Sequence, residues 1–101
     1  MADLHGGISY SEDFKGLISS LERARSLIEG SGCLGRGFAE WEAIRGFARH
    51  AIDRGGTILD VGAANGFFLR CLQEWVRPRR LIPFGVDIDD EAIAAARKLL
   101  P

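Results

Sequence analysis

Two acids and a glycine turn are the residues of this chain whose types and spacing could do chemistry. Asp60 stands in ILDVGAANGFF, Ile58 to Phe68, where an apolar run gives way to an acid, two glycines and two alanines before apolar residues resume. Asp87 falls near the end of a second apolar run, LIPFGVDI, Leu81 to Ile88. An ionised carboxylate is a strong acceptor for hydroxyl and ammonium donors. Glycine after a strand allows a sharp turn with positive φ, and it lets a ligand approach the backbone without meeting a Cβ. Gly62, Ala64 and Gly66 give the pattern G-x-A-x-G. A dinucleotide fingerprint would place glycines at positions 62, 64 and 67. Ala64 and the bulky Phe67 stand at two of these, so the pattern argues against NAD.

The elements around these residues follow from periodicity. TILDV, Thr57 to Val61, is short, β-branched and apolar, which suits a buried parallel strand. A turn over Gly62–Gly66 leads to a helix of about Gly66 to Val76, marked by Phe68, Leu72 and Trp75 and stopped by Pro78. The second run is a second buried strand, with Pro83 near its start. Asp89 or Asp90 caps a last helix, Glu91 to Leu100, whose Ile93, Ala96 and Leu100 face one way. Strand, turn, helix, strand and helix make a βαβ unit, with parallel strands and a right-handed crossover.

Upstream, MADLHGGI reads as a loose start. Ser9 and Glu12 have capping-box spacing, and Phe14, Leu17, Ile18, Leu21 and Ile28 mark one helix from about Ser11 to Glu29. The stretch GSGCLGRG interrupts it, as a linker between helices. A second helix of about Phe38 to Asp53 would gather Trp41, Ile44, Phe47, Ala48, Ala51 and Ile52 on one apolar side, ending at Gly55-Gly56. Residues 1–56 thus form a helical region and residues 57–101 the first part of an α/β domain. Phe67, Phe68, Trp41 and Trp75 read as core residues.

Composition narrows the classes. Apolar residues make up 47% of the 101 and charged ones 27%, so a folded domain is expected over most of the length. The formal charge of −1 supplies no global field for nucleic acid or acidic membranes, and Arg77, Arg79 and Arg80 read as a solvated loop. No apolar stretch is long enough to span a bilayer, and the start lacks a signal-sequence pattern. Cys33 and Cys71 lack metal-ligand spacing, and His5 and His50 have no evident partners, so no metal is expected. Free thiols in a reduced, cytoplasmic setting fit this usage.

Taken together, Leu59-Asp60-Val61-Gly62-Ala63-Ala64-Asn65-Gly66 and the GVDIDDEAIAAAR segment, Gly85 to Arg97, resemble the two nucleotide-binding signatures of the class I S-adenosylmethionine-dependent methyltransferases. The likeness covers about Thr57 to Leu100. It implies a Rossmann-like fold, here represented by its N-terminal portion, with S-adenosyl-L-methionine as cofactor. Gly62, Ala63, Ala64, Asn65 and Gly66 would line the methionine part, with Asp60 supporting the loop and the amino group. Asp87 would take the two ribose hydroxyls, and Ile88 would pack against the adenine. Asp87 follows Gly66 by about 20 positions, which lets one helix carry the chain back to an adjacent parallel strand. Ala64 departs from the family's middle glycine, and Asn65 tolerates left-handed angles more easily than most residues.

Other readings stay open at this point. Asp60 could serve only as a strand-end turn residue, and Asp87 as one of several capping acids in DIDDE. The chain could be a methyltransferase-like binding module that catalyses nothing. The family fold continues through further strands beyond the second strand–helix pair. If the chain ends at Pro101, open strand edges would pair between molecules and give a homodimer. No catalytic base or acceptor pocket is identifiable. A small molecule is the favoured methyl acceptor, because the fold fixes the cofactor and not the acceptor.

Overall fold

The computed structural model describes residues 8–33 and 35–100, so the expected loose start lies, apart from Ile8, outside the described residues. The elements run α1 (Glu12–Leu17), α2 (Leu21–Gly30), α3 (Phe38–Arg45), a 3₁₀ segment (Gly46–Ala51), β1 (Gly56–Val61), α4 (Phe67–Trp75), β2 (Leu81–Val86) and α5 (Asp90–Leu99). This is a mixed α/β arrangement. Its two strands pair in parallel, with Ile58 opposite Pro83 and Asp60 opposite Gly85.

The N-terminal helices differ from the sequence reading in three ways. First, the single expected helix over Ser11 to Glu29 is two. Serines favour caps over helix interiors because their hydroxyls compete for backbone groups. Ser20 starts α2 by accepting the Arg23 N–H at 3.1 Å. Second, Ser11 rather than Ser9 caps α1, accepting the Phe14 N–H at 3.3 Å. Third, the helix expected to reach Asp53 changes to 3₁₀ geometry at Gly46, a residue that costs about 1 kcal/mol in a helix interior. The expected apolar stripe breaks up with it. Trp41 stays buried, but Ile44 and Phe47 are 40% and 70% exposed.

Helix α4 is the centre of the structure. Phe67, Leu69, Cys71, Leu72, Glu74 and Trp75 are all buried, so the helix is covered on more than one side. On the N-terminal side Phe14 stacks on Phe67 with ring centroids 6.2 Å apart, and Trp41 lies 5.5 Å from the same ring. Leu69 packs over Gly85 of β2. One core cluster therefore joins the upstream helices to the βαβ unit. Both tryptophans lie in it, as their sequence positions suggested, and their N–H groups are satisfied. Trp41 donates to the Cys71 sulfur at 3.3 Å and Trp75 to the Tyr10 hydroxyl at 2.9 Å. Tyr10 in turn donates to Glu42. Both cysteines are free, and burial pushes the Cys71 thiol far above its ordinary range.

The strands are less buried than their composition suggested. Ile58 and Asp60 point toward the helices and are half-buried. Leu59, Val61, Ile82, Phe84 and Val86 are each at least 50% exposed. Parallel strands are apolar on both faces because helices normally cover both. Here, among the described residues, only one face is covered.

One buried charge holds the layers in register. Glu74 is 3% exposed and accepts from Arg70 at 3.0 Å, from Arg77 at 3.1 Å and from the Ser11 backbone N–H. Ser11 thus caps α1 and docks it on α4. Burial raises the Glu74 pKa, but the Ser11 N–H and the Arg70 guanidinium outweigh it and leave the carboxyl below its ordinary value of 4.5. A carboxylate shifted downward stabilises the fold above its unfolded pKa and ceases to as the pH falls through the folded value. Glu74→Gln should therefore lower stability at pH 7 by about 2 kcal/mol, since it takes the charge partner from the part-buried Arg70. Urea denaturation checks this, and the gap from wild type should shrink below pH 4.5. An unchanged midpoint at pH 7 would remove Glu74 from this role.

Candidate functional site

The turn between β1 and α4 is built from left-handed residues. Gly62, Ala64 and Gly66 have φ of 76°, 52° and 78°. Asn65, the non-glycine residue expected to tolerate that region, does not use it; Ala64 does. The reason lies in the Asn65 side chain. Its Nδ2 donates to the Leu27 carbonyl at 2.9 Å, and its Oδ1 accepts the Phe67 N–H at 3.0 Å. One amide thereby satisfies a free donor at the start of α4 and ties the turn to α2. Gly30 makes room for it, because a Cβ there would come within 2.6 Å of Nδ2.

The second strand grips the other side of the turn. Gly62 and Ala63 both donate their N–H groups to the Val86 carbonyl, at 2.8 and 3.0 Å. The Asp87 carboxylate accepts the Ala64 N–H at 2.8 Å and the Asp89 N–H at 2.9 Å. These bonds, the Asp89 one foremost, hold Asp87 below the usual carboxylate range. Gly85 is part of the same arrangement, since a Cβ on it would lie 2.7 Å from that of Ala63. A glycine inside a strand often marks such a close approach, and this one could have been singled out on that ground.

Asp60 contrasts with Asp87. It is half-buried on the helix side of β1, and it has no hydrogen-bond or ion-pair partner among the described residues. Burial alone raises its pKa above the ordinary carboxylate value. It lines a cavity of about 220 Å³ together with Ser31, Trp41, Arg45, Gly62, Ala63 and Phe68. Gly62 faces open space, with nothing within 4 Å of where its Cβ would be. Of the site residues expected from sequence, Asp60, Gly62 and Ala63 share this cavity. Ala64, Asn65, Gly66 and Asp87 fix the turn, and Ile88 is fully exposed beyond β2. Ala64 and Asp87 also border a second, largely apolar cavity of about 310 Å³ between β2 and α5, lined by Ile93, Ala96 and Leu100 as their common face suggested.

Sequence reading missed Ser31 and Arg45 and took Trp41 only as core. No spacing rule links the end of one helix to a strand that begins eleven residues later, so only tertiary packing brings these three to Asp60. Among the described residues, no helix is long and apolar enough to cross a membrane.

The glycines separate two roles by substitution. Gly66→Ala should cost about 2 kcal/mol or more, because a left-handed alanine is strained and its Cβ would meet Ala96 at 3.0 Å and Leu100 at 3.1 Å. Gly62→Ala carries only the strain, about 1 kcal/mol. Thermal melts of both variants test the order, and a more stable Gly66→Ala than Gly62→Ala would contradict the packing. Asp60 carries the opposite sign to Glu74. Its raised folded pKa means that the ionised form destabilises the fold at neutral pH and that this penalty vanishes as the pH falls below the unfolded value. Asp60→Asn should accordingly melt no lower than wild type at pH 7 without ligand. A clearly lower melting temperature would mean that Asp60 supports the turn after all.

In comparisons with family models, curated proteins and solved structures, the chain has no match.

Proposed function

We propose that this chain is the cofactor-binding part of an S-adenosylmethionine-dependent methyltransferase with a Rossmann-like core. The observation that carries this reading is Asp60: a half-buried acid without a partner, next to an open glycine at the C-terminal end of a parallel strand. Open α/β sheets bind ligands at that end. Partial burial disfavours the ionised form of an acid, and a cation that meets it offsets that cost. When bound, the cofactor would bring an ammonium, a carboxylate and a methyl group activated by a sulfonium.

Each residue then has a task. Asp60 accepts the ammonium. Gly62 leaves its Cβ space to the ligand. Each Asp87 oxygen accepts one backbone N–H and retains a further lone pair for a ribose hydroxyl. Its lowered pKa keeps it ionised for that purpose. Ile88, fully exposed beside it, is free to cover an adenine. The methyl acceptor is a small molecule on this reading, and none of the residues named here is assigned as a base.

A second reading has one observation in its favour. Both Asp87 oxygens already bind backbone amides, so Asp87 could serve the turn alone in a non-catalytic module. Calorimetric titration with S-adenosylhomocysteine, with NAD as the control, separates the two. Binding of the first and not the second is expected, weakened about tenfold or more in Asp87→Ala through loss of charged hydrogen bonds. A folded chain that binds neither compound would overturn the cofactor reading and leave the module.

A further inference from the structure

The sheet is covered on one face and bare on the other. Its register sets Leu59 beside Phe84 and Val61 beside Val86, and side chains alternate along a strand. Thr57, Leu59, Val61, Ile82, Phe84 and Val86 therefore share the face away from α4, and all six are exposed. None of them is charged. The five apolar ones present on the order of 500 Å², at the upper end of what a soluble monomer shows and a mark of an interaction surface. The two ends of the strands differ in sign. Where the strands start, Arg79 and Arg80 are exposed and form no ion pair among the described residues, while Arg54 is matched by Asp53 at 3.3 Å. Where they finish, Asp89, Asp90 and Glu91 are exposed and likewise form none. The surface is thus apolar in the middle, basic at one end and acidic at the other.

We propose that a second copy of this chain covers the bare face, with the two sheets packed face to face and their strands antiparallel across a two-fold axis. A two-fold contact brings one patch onto itself, so the patch must be self-complementary. An axis perpendicular to the strands lays Arg79 and Arg80 of each copy toward the partner's Asp90 and Glu91. An axis along the strands would set like charges together, so the charges select the orientation. The uncharged centre adds no repulsion. Two such faces remove about 1,000 Å² from water before the rim is counted, which reaches the size of a specific interface. Phe84, in the middle of β2, is the aromatic residue at its core. The free edge of β2 suits association less. The carbonyls of Arg80 and Val86 face β1, so Pro83 falls on the outward row and has no N–H to offer. This dimer goes beyond the cofactor reading and does not depend on it.

Sedimentation equilibrium of the purified chain, repeated with Phe84→Lys, Arg80→Glu and Asp90→Lys, tests the proposal, with thermal melts to verify folding. Wild type should show twice the chain mass and dissociate on dilution. Phe84→Lys should weaken the dimer about a hundredfold or more, since it puts an unpaired charge in the apolar centre of each face. Arg80 and Asp90 are exposed, so their variants are expected to fold even where Phe84→Lys does not. Each alone should weaken the dimer about fivefold, the scale of two exposed ion pairs. An equimolar mixture of the two should recover it, because the antiparallel arrangement then pairs Glu with Lys on one side and Arg with Asp on the other. A wild-type chain that is folded but monomeric throughout would overturn the proposal and leave the face to a different apolar partner. A folded Phe84→Lys that dimerises like wild type, or a mixture that recovers nothing, would also overturn it.

Discussion

The arrangement of the site depends on how a five-residue turn is held from two sides. Asn65 bonds it to the carbonyl of Leu27 in α2, and Asp87 bonds it to the end of β2. Left-handed geometry comes freely to Gly62 and Gly66, but at Ala64 it would be strained in an untethered chain. With both tethers in place the turn has little freedom. Its fixed position sets where Asp60 ends and where α4 begins. It also draws α2 close enough for Ser31 to border the same space as the strand end.

The buried Glu74 and the half-buried Asp60 show a division between stability and binding. Glu74 has three donors and a lowered pKa, and it fastens α1 to α4. Asp60 has none among the described residues, and its pKa is raised. If folding alone had shaped both positions, an asparagine or an apolar residue at position 60 would serve better. A half-buried acid left without a protein partner beside an open glycine is the pattern expected where a ligand supplies the missing charge. The apolar outer face of the sheet has no such pattern. It carries Leu59, Val61, Ile82, Phe84 and Val86, which suit packing against another apolar surface.

Much of this organisation was legible in the sequence. The parallel pair, the turn, the central helix and the Asp89 cap follow from apolar runs, glycines and capping residues, and the structure contains all of them. What failed was local competition. Ser20 divides a helix whose apolar spacing looked continuous, and Gly46 changes the geometry of another. Asn65 is the residue whose type tolerates left-handed angles, yet its amide is used across the turn and Ala64 takes the left-handed position. The acids of the site could be found because strand ends announce themselves. Arg45 and Ser31 could not, since their proximity to Asp60 comes from packing between layers and not from any spacing along the chain.

The central claim is that Asp60 awaits a cation. The most direct measurement is the pKa of its side-chain carboxyl by ¹³C NMR, with and without saturating S-adenosylhomocysteine. Without ligand the value should lie above that of an ordinary aspartate, through burial. With ligand it should fall, because an adjacent ammonium favours the ionised form. A value that starts in the ordinary range, or that stays unchanged while the ligand binds, would contradict the assignment of Asp60 to the ammonium.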